Sequence, residues 1–203
     1  VKYLECKSPI HVARRPIYLD YVAKVRHGNF ETATEQIADY IRDELLPKYK
    51  KQKGFIHTTY SQAKLLRKYL RGQEDRLLFH SSETKGEVLR EFKESDPREG
   101  KVLVASGMYE GVSLDYEIAR WQAIAKVPWM SLADAATKHK ADNDPEWYVW
   151  NTLKDLIQAC GRVCRTPSDY GKTHILDGTM DSLLTEAEKY EILPEWFADA
   201  LAE

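Results

Sequence analysis

Short apolar runs recur along this chain at the spacing of strands, and they constrain its fold more than any other feature. They are GFIHTT (54–59), RLLFHS (76–81), KVLVAS (101–106), WQAIAKVP (121–128) and THILD (173–177). Each is too short for a core helix, and polar, helix-patterned stretches lie between them. Strands separated by helices pair in parallel, because a parallel neighbour needs a long crossover. The pattern therefore predicts an α/β sandwich of three layers around a mainly parallel sheet. Thr32-Ala-Thr-Glu35 and Thr84-Lys-Gly-Glu87 are spaced as capping boxes. The first would open a helix with Ile37, Tyr40, Ile41 and Leu45 on one face, the second a helix through Val88, Leu89 and Phe92. Ser61 would cap the helix that runs to about Leu70. TKHKADND (137–144) reads as a surface loop, and Asp144-Pro145 as a helix start with proline in the first turn. The C-terminal segment reads as helical on both sides of Pro194.

The 203 residues, 43% of them apolar, suffice for one domain across 1–203 with a real core. Lysine plus arginine (30) nearly balances aspartate plus glutamate (32). No overall charge advertises nucleic acid or a membrane, although a local basic groove remains compatible with that balance. The three cysteines form no CxxC pair, which argues against a disulfide framework or a local metal site and suits a reducing compartment. No apolar run reaches about 18 residues and no signal-peptide pattern opens the chain. A soluble, cytoplasmic protein without a membrane partner is the expectation.

The octet Gln158-Ala-Cys-Gly-Arg-Val-Cys-Arg165 poses a sharper question. On a continuous helix Gln158, Gly161, Arg162 and Arg165 would share one stripe, opposite the apolar Leu153, Leu156, Ile157, Cys160 and Cys164. A solvated basic face is the plain reading of such a stripe. Glycine inside a helix, however, costs roughly 1 kcal/mol relative to alanine. Its presence predicts that something approaches that backbone closely.

Gly171-Lys172-Thr173 mimics the end of a phosphate-binding P-loop, but position 166 is threonine where the motif needs glycine. The triplet also runs into a strand rather than a helix, so the chain has no Walker A of its own. The octet, as QxxGRxxR, resembles motif VI of superfamily 2 helicases. VLVASGMYEGVSLDYEIARWQAIAKVPW (102–129) resembles motif V of the XPD/DinG branch, matching at Gly107, Glu110, Gly111 and Arg120. SPIHVARRPIYLD (8–20) is similar to that family's entry into its second motor domain, and GFIHTTYSQAKLL to its motif IV. DPEWYVWNTL, LPEWF (193–197), Asp169-Tyr170-Gly171 and Asp177 add to the likeness. In order and across most of its length, the chain resembles the second RecA-like domain of an XPD/DinG-type DNA helicase.

That resemblance implies an ATP-dependent motor moving 5′ to 3′ on single-stranded DNA. A first motor domain of the same polypeptide would supply the P-loop lysine, the Mg2+-binding carboxylates and, in many members, an iron–sulfur cluster. This chain would provide the other wall of the ATP cleft. Arg165 would be the arginine finger, Arg162 a γ-phosphate and interdomain contact, and Gln158 would orient them or the attacking water. Gly107, Glu110, Gly111 and Ser113 would be ATP-binding, the first three forming the loop that couples nucleotide to DNA. Thr58, Thr59 and Ser106 would grip DNA phosphates at the strand ends. Two positions depart from the pattern. Ser113 replaces the aspartate of motif V, and Asp177-Gly-Thr179 lacks the family's arginine. The loss of a carboxylate at 113 keeps a second reading open, a helicase-like module that only binds nucleic acid or protein. The lysines at 48, 50, 51 and 53 read as a solvated linker, and His57 and His80, with no third ligand, as structural. Trp147, Trp150 and Trp196 read as packing residues; Trp129 fits either packing or base stacking.

Overall fold

The computed structural model describes residues 7–108 and 111–202. In chain order the elements are β1 (Ile17–Tyr18), α1 (Phe30–Tyr40), a π-helical turn (Ile41–Leu45), α2 (Leu46–Lys48) and β2 (Gly54–Thr58). Then come α3 (Tyr60–Tyr69), β3 (Leu77–Phe79), α4 (Lys85–Glu94), β4 (Val102–Ser106) and β5 (Trp121–Ile124). The chain continues through α5 (Ala135–Asn143), α6 (Pro145–Cys160), β6 (Lys172–Ile175), α7 (Met180–Lys189), α8 (Glu195–Ala198) and β7 (Leu201–Ala202). The strands form one sheet in the order β3-β4-β2-β5-β6-β1-β7. Every pairing is parallel, as the apolar runs require.

Strand alternation divides the core. Ile56, Val102, Val104, Trp121 and Ala123 pack with Ile37 and Ile41, Leu66 and Leu70, on the side covered by α1 and α3. Phe55, Leu103 and Ala105 turn the other way and meet Phe92 of α4. Ile124 and Ile175 pack against Val149, Leu153 and Leu156 of α6 and Met180 and Leu183 of α7. The sheet is thus buried on both faces, which is why its strands are nearly continuously apolar. The RecA-like α/β architecture expected from the sequence is the one observed.

Several local expectations are corrected. α1 opens at Phe30, so Thr32 lies inside it and caps nothing. Thr84 precedes α4 without capping it, because its Oγ1 accepts the Ser81 amide at 2.9 Å. Thr59, not Ser61, caps α3, accepting the Gln62 amide at 3.3 Å. The polar stretch 137–144 falls largely within α5, an exposed helix capped by Asp134, since polarity alone does not separate a solvated helix from a loop. Lys53 is buried rather than solvated. Its ammonium donates to the carbonyls of Lys93 (3.1 Å) and Ser95 (2.9 Å) and sits over the Phe92 ring, closing the C-terminal end of α4. Asp144-Pro145 does start α6, with the Asp144 carboxylate accepting the Trp147 amide.

Candidate functional site

The octet does not form one helical stripe. α6 ends at Cys160 and Gly161 is its C-cap, so Arg162 to Arg165 lie in the connection to β6. Gly161 has an ordinary negative φ, and a Cβ there would meet only the carbonyls of Ile157 and Gln158, at 3.6 and 3.7 Å. Among the described residues nothing approaches that backbone closely; the glycine marks an exit, where its helix penalty is small. The sheet fixes the exit point. Gln122 of β5 donates from Nε2 to the Cys160 carbonyl (2.7 Å) and to Thr173 Oγ1 of β6 (2.9 Å). Its Oε1 pairs with His57 Nε2 of β2 at 3.0 Å. Burial outweighs the opposing Gln122 bond and, with a smaller push from the Arg162 charge, lowers the His57 imidazole to about 4, so it is neutral at pH 7.

Beyond the exit, residues 162–170 run alongside the β4–β5 crossover and are bonded to it repeatedly. Arg162, 8% exposed, donates from Nη1 to the Val112 carbonyl at 3.1 Å, and its own carbonyl accepts the Leu114 amide at 3.2 Å. Arg165 is exposed and donates from Nη1 to Ser113 Oγ at 3.0 Å. The Ser113 hydroxyl passes its proton toward Asp115 Oδ1, 2.7 Å away. That bond, ahead of the Arg165 and Lys93 charges, holds the Asp115 carboxyl below the usual carboxylate range. Further on, Arg120 is ion-paired with the fully buried Asp169 (2.7 Å), donates to the Tyr170 carbonyl and lies over the Tyr170 ring. Asp169 also accepts the Tyr116 amide at 3.0 Å. Gly171 is required here, because a Cβ would stand 2.6 Å from Val163. Asp177 accepts the amides of Val25, Thr179 and Val127 and so ties three segments together.

The carboxyl ends of β2 and β4 are built differently. Thr58 is fully buried, and its hydroxyl donates to Gln62 Oε1 at 2.6 Å. Thr59 is occupied by capping α3. Ser106 is 1% exposed, its amide donating to His80 Nε2 at 3.0 Å while its Oγ has no hydrogen-bond partner among the described residues. Of the three hydroxyls expected to meet a ligand, only that of Thr59 belongs to a residue that is not buried. The surface at this end is instead Gly107, Tyr60 and Lys85, whose Nζ donates to the Gly107 carbonyl at 3.0 Å. Gly107 and Gly111 both have left-handed φ (+62° and +74°), which suits glycine at either end of the loop. Glu110 lies outside the described residues. Gln158 stands in the last turn of α6, its buried Oε1 without a hydrogen bond among the described residues. Trp129 stacks on Tyr148 and bonds Thr179, and is a packing residue.

Gln122, Asp115 and Tyr60 were missed by sequence reasoning, whereas His80, read as structural, does hold the Ser106 amide. A glutamine inside an apolar strand was the one available signal, since a buried amide needs partners. The others depend on register and on which crossover lies beside which loop. Among the described residues no cluster of histidine, cysteine and carboxylate groups could hold a metal ion, and no helix is long and apolar enough to cross a membrane.

A parallel sheet carrying an arginine-bearing loop zipped to the crossover after β4 is an α/β architecture of RecA-like type. The model of the helicase C-terminal domain matches residues 34–199, most of the chain, and the chain belongs to that family. No curated protein matches it. Among solved structures it is similar to an XPD helicase (14% identity, TM-score 0.60), covering 87% of this chain and 34% of that one. Xpd4 of S. tokodaii (16%, TM-score 0.58) is matched over 92% of this chain and 37% of its own. Dbp5 of S. cerevisiae, bound to RNA and ADP BeF3, is similar at 18% identity and a TM-score of 0.53, over 89% and 40%. At such identities the likeness is one of fold, and the chain spans little more than a third of these proteins' length.

Proposed function

We propose that this chain is the second motor domain of an ATP-dependent XPD/DinG-type helicase that moves 5′ to 3′ on single-stranded DNA. The observation that carries the proposal is the contrast between the octet's two arginines. Arg162 is buried against the Val112 carbonyl, whereas Arg165 presents an exposed guanidinium from a loop bonded to its neighbours. Phosphoryl transfer spreads negative charge over the γ-phosphate oxygens, and an exposed planar cation is suited to meet it. Arg165 is the arginine finger in this reading. Arg162 braces the loop through the Val112 carbonyl, and Gln158 orients the arginine or the attacking water. ATP and Mg2+ are held chiefly by the first motor domain of the same polypeptide. Gly107 to Ser113 couples that site to the DNA.

The test is Arg165→Ala in the full polypeptide. Turnover of ATP should fall by about 10³ to 10⁵, while ATP affinity stays within about tenfold, because a finger acts on charge that develops in the transition state. Arg165→Lys should recover little, since a flexible point charge does not reproduce the planar fork. The isolated chain should hydrolyse no ATP, with or without DNA. Near-normal turnover in Arg165→Ala would refute the assignment.

A further inference from the structure

We infer that Asp115, acting through Ser113, is the positioning residue that sets Arg165, an inference that rests on the reading of Arg165 as the finger. Three observations support it. Ser113 and Asp115 flank the fully buried Leu114, and the Asp115 backbone is extended. The hydroxyl of Ser113 has one proton, and it is directed to Asp115 Oδ1 at 2.7 Å. The lone pairs left over must then face the Arg165 Nη1 donor, 3.0 Å away. A serine with no carboxylate behind it would rotate freely and offer an exposed arginine only a weak, neutral acceptor. With the carboxylate behind it, each bond of the chain polarises the next.

The backbone that bears this relay is fixed on both sides. Before Asp115, the Leu114 amide is bonded to the Arg162 carbonyl. After it, the Tyr116 amide is bonded to the buried Asp169, itself ion-paired with Arg120. The relay also accounts for the departure at position 113. The helicase pattern has a carboxylate there, and this chain has a hydroxyl with the carboxylate two residues on. The negative charge is displaced along the crossover and its effect is returned by the Ser113 hydroxyl between it and Arg165.

Steady-state ATP hydrolysis by the full polypeptide, with saturating single-stranded DNA, tests the relay. Asp115→Asn should lower kcat by about tenfold to a hundredfold, the size of a misplacement effect, and leave KM for ATP within about twofold. Ser113→Ala should do the same, and the double variant should be no worse than either single, because the two residues act in series. Ser113→Thr, which keeps the hydroxyl, should retain most of the activity. Moving the carboxylate, with Ser113→Asp in the Asp115→Asn background, should restore kcat to within about threefold by direct pairing with Arg165. Thermal melts of each variant separate loss of fold from loss of position. Wild-type kcat in Asp115→Asn beside an inactive Arg165→Ala overturns the relay and leaves the finger standing. Additive losses in the double variant also overturn it. An active Arg165→Ala overturns both.

Discussion

The loop after α6 and the carboxyl ends of β2 and β4 carry the two sets of residues that the sequence marks for ligands, and the chain treats them in opposite ways. At the strand ends Thr58 is turned inward to Gln62 and Ser106 is buried beneath His80. In the loop, Arg162 is taken into the backbone network so that Arg165 can stay outside. A functional residue type at the right spacing therefore names a place in the fold, not the atom that meets the ligand. Each motif divides its polar groups between holding the backbone and facing solvent, and only neighbours in space reveal the division.

The largest expected effect bears on that division directly. Arg165→Ala and Arg162→Ala should both abolish turnover, but only Arg162→Ala should lower the melting temperature, since it leaves the Val112 carbonyl without its donor. Equal melting curves for the two variants would erase the distinction between the inner and outer arginine. Next in size is the buried pair behind the loop. Arg120→Ala strands the Asp169 carboxylate and should cost about 3–5 kcal/mol in chemical unfolding. A loss below about 1 kcal/mol would mean that the zip does not hold the loop.

The third concerns pH. The unfolded imidazole of His57 binds a proton below its ordinary 6.5, whereas the folded one resists until about 4. Stability should therefore be insensitive to this group above pH 6.5 and fall as pH drops through that window, by about 3 kcal/mol in all. Unfolding curves of wild type and His57→Gln at pH 7 and 4.5 check it, and the variant should lack that part of the slope. The smallest effects belong to the strand ends. Under the proposed function, Tyr60→Ala should weaken binding of single-stranded DNA by about 1–3 kcal/mol through lost stacking. Thr58→Val should leave affinity within about twofold, because its hydroxyl faces the interior. Anisotropy titrations at two salt concentrations measure both, and a larger loss for Thr58→Val would return that hydroxyl to the DNA surface.

Much of this was readable beforehand, and for a definite reason. The period of apolar residues decides strand or helix locally, and five apolar runs between helical stretches leave a parallel sheet as the outcome. Asp144-Pro145 begins a helix because its carboxylate needs only the amide three residues on. The octet's residue types and spacing, and the glycines at 107 and 111, likewise follow from chain-local chemistry. Tertiary structure decided what depends on neighbours far along the chain. Gln122, from another strand, captures the carbonyl at which α6 stops, which breaks the stripe that periodicity suggests. Phe92 and the end of α4 draw Lys53 inside. The crossover laid against residues 162–170 separates the two arginines and puts a serine and an aspartate behind the exposed one. The bonds of Gln122, Lys53 and Arg165 join residues 38, 40 and 52 positions apart, and no local pattern encodes a partner at that distance.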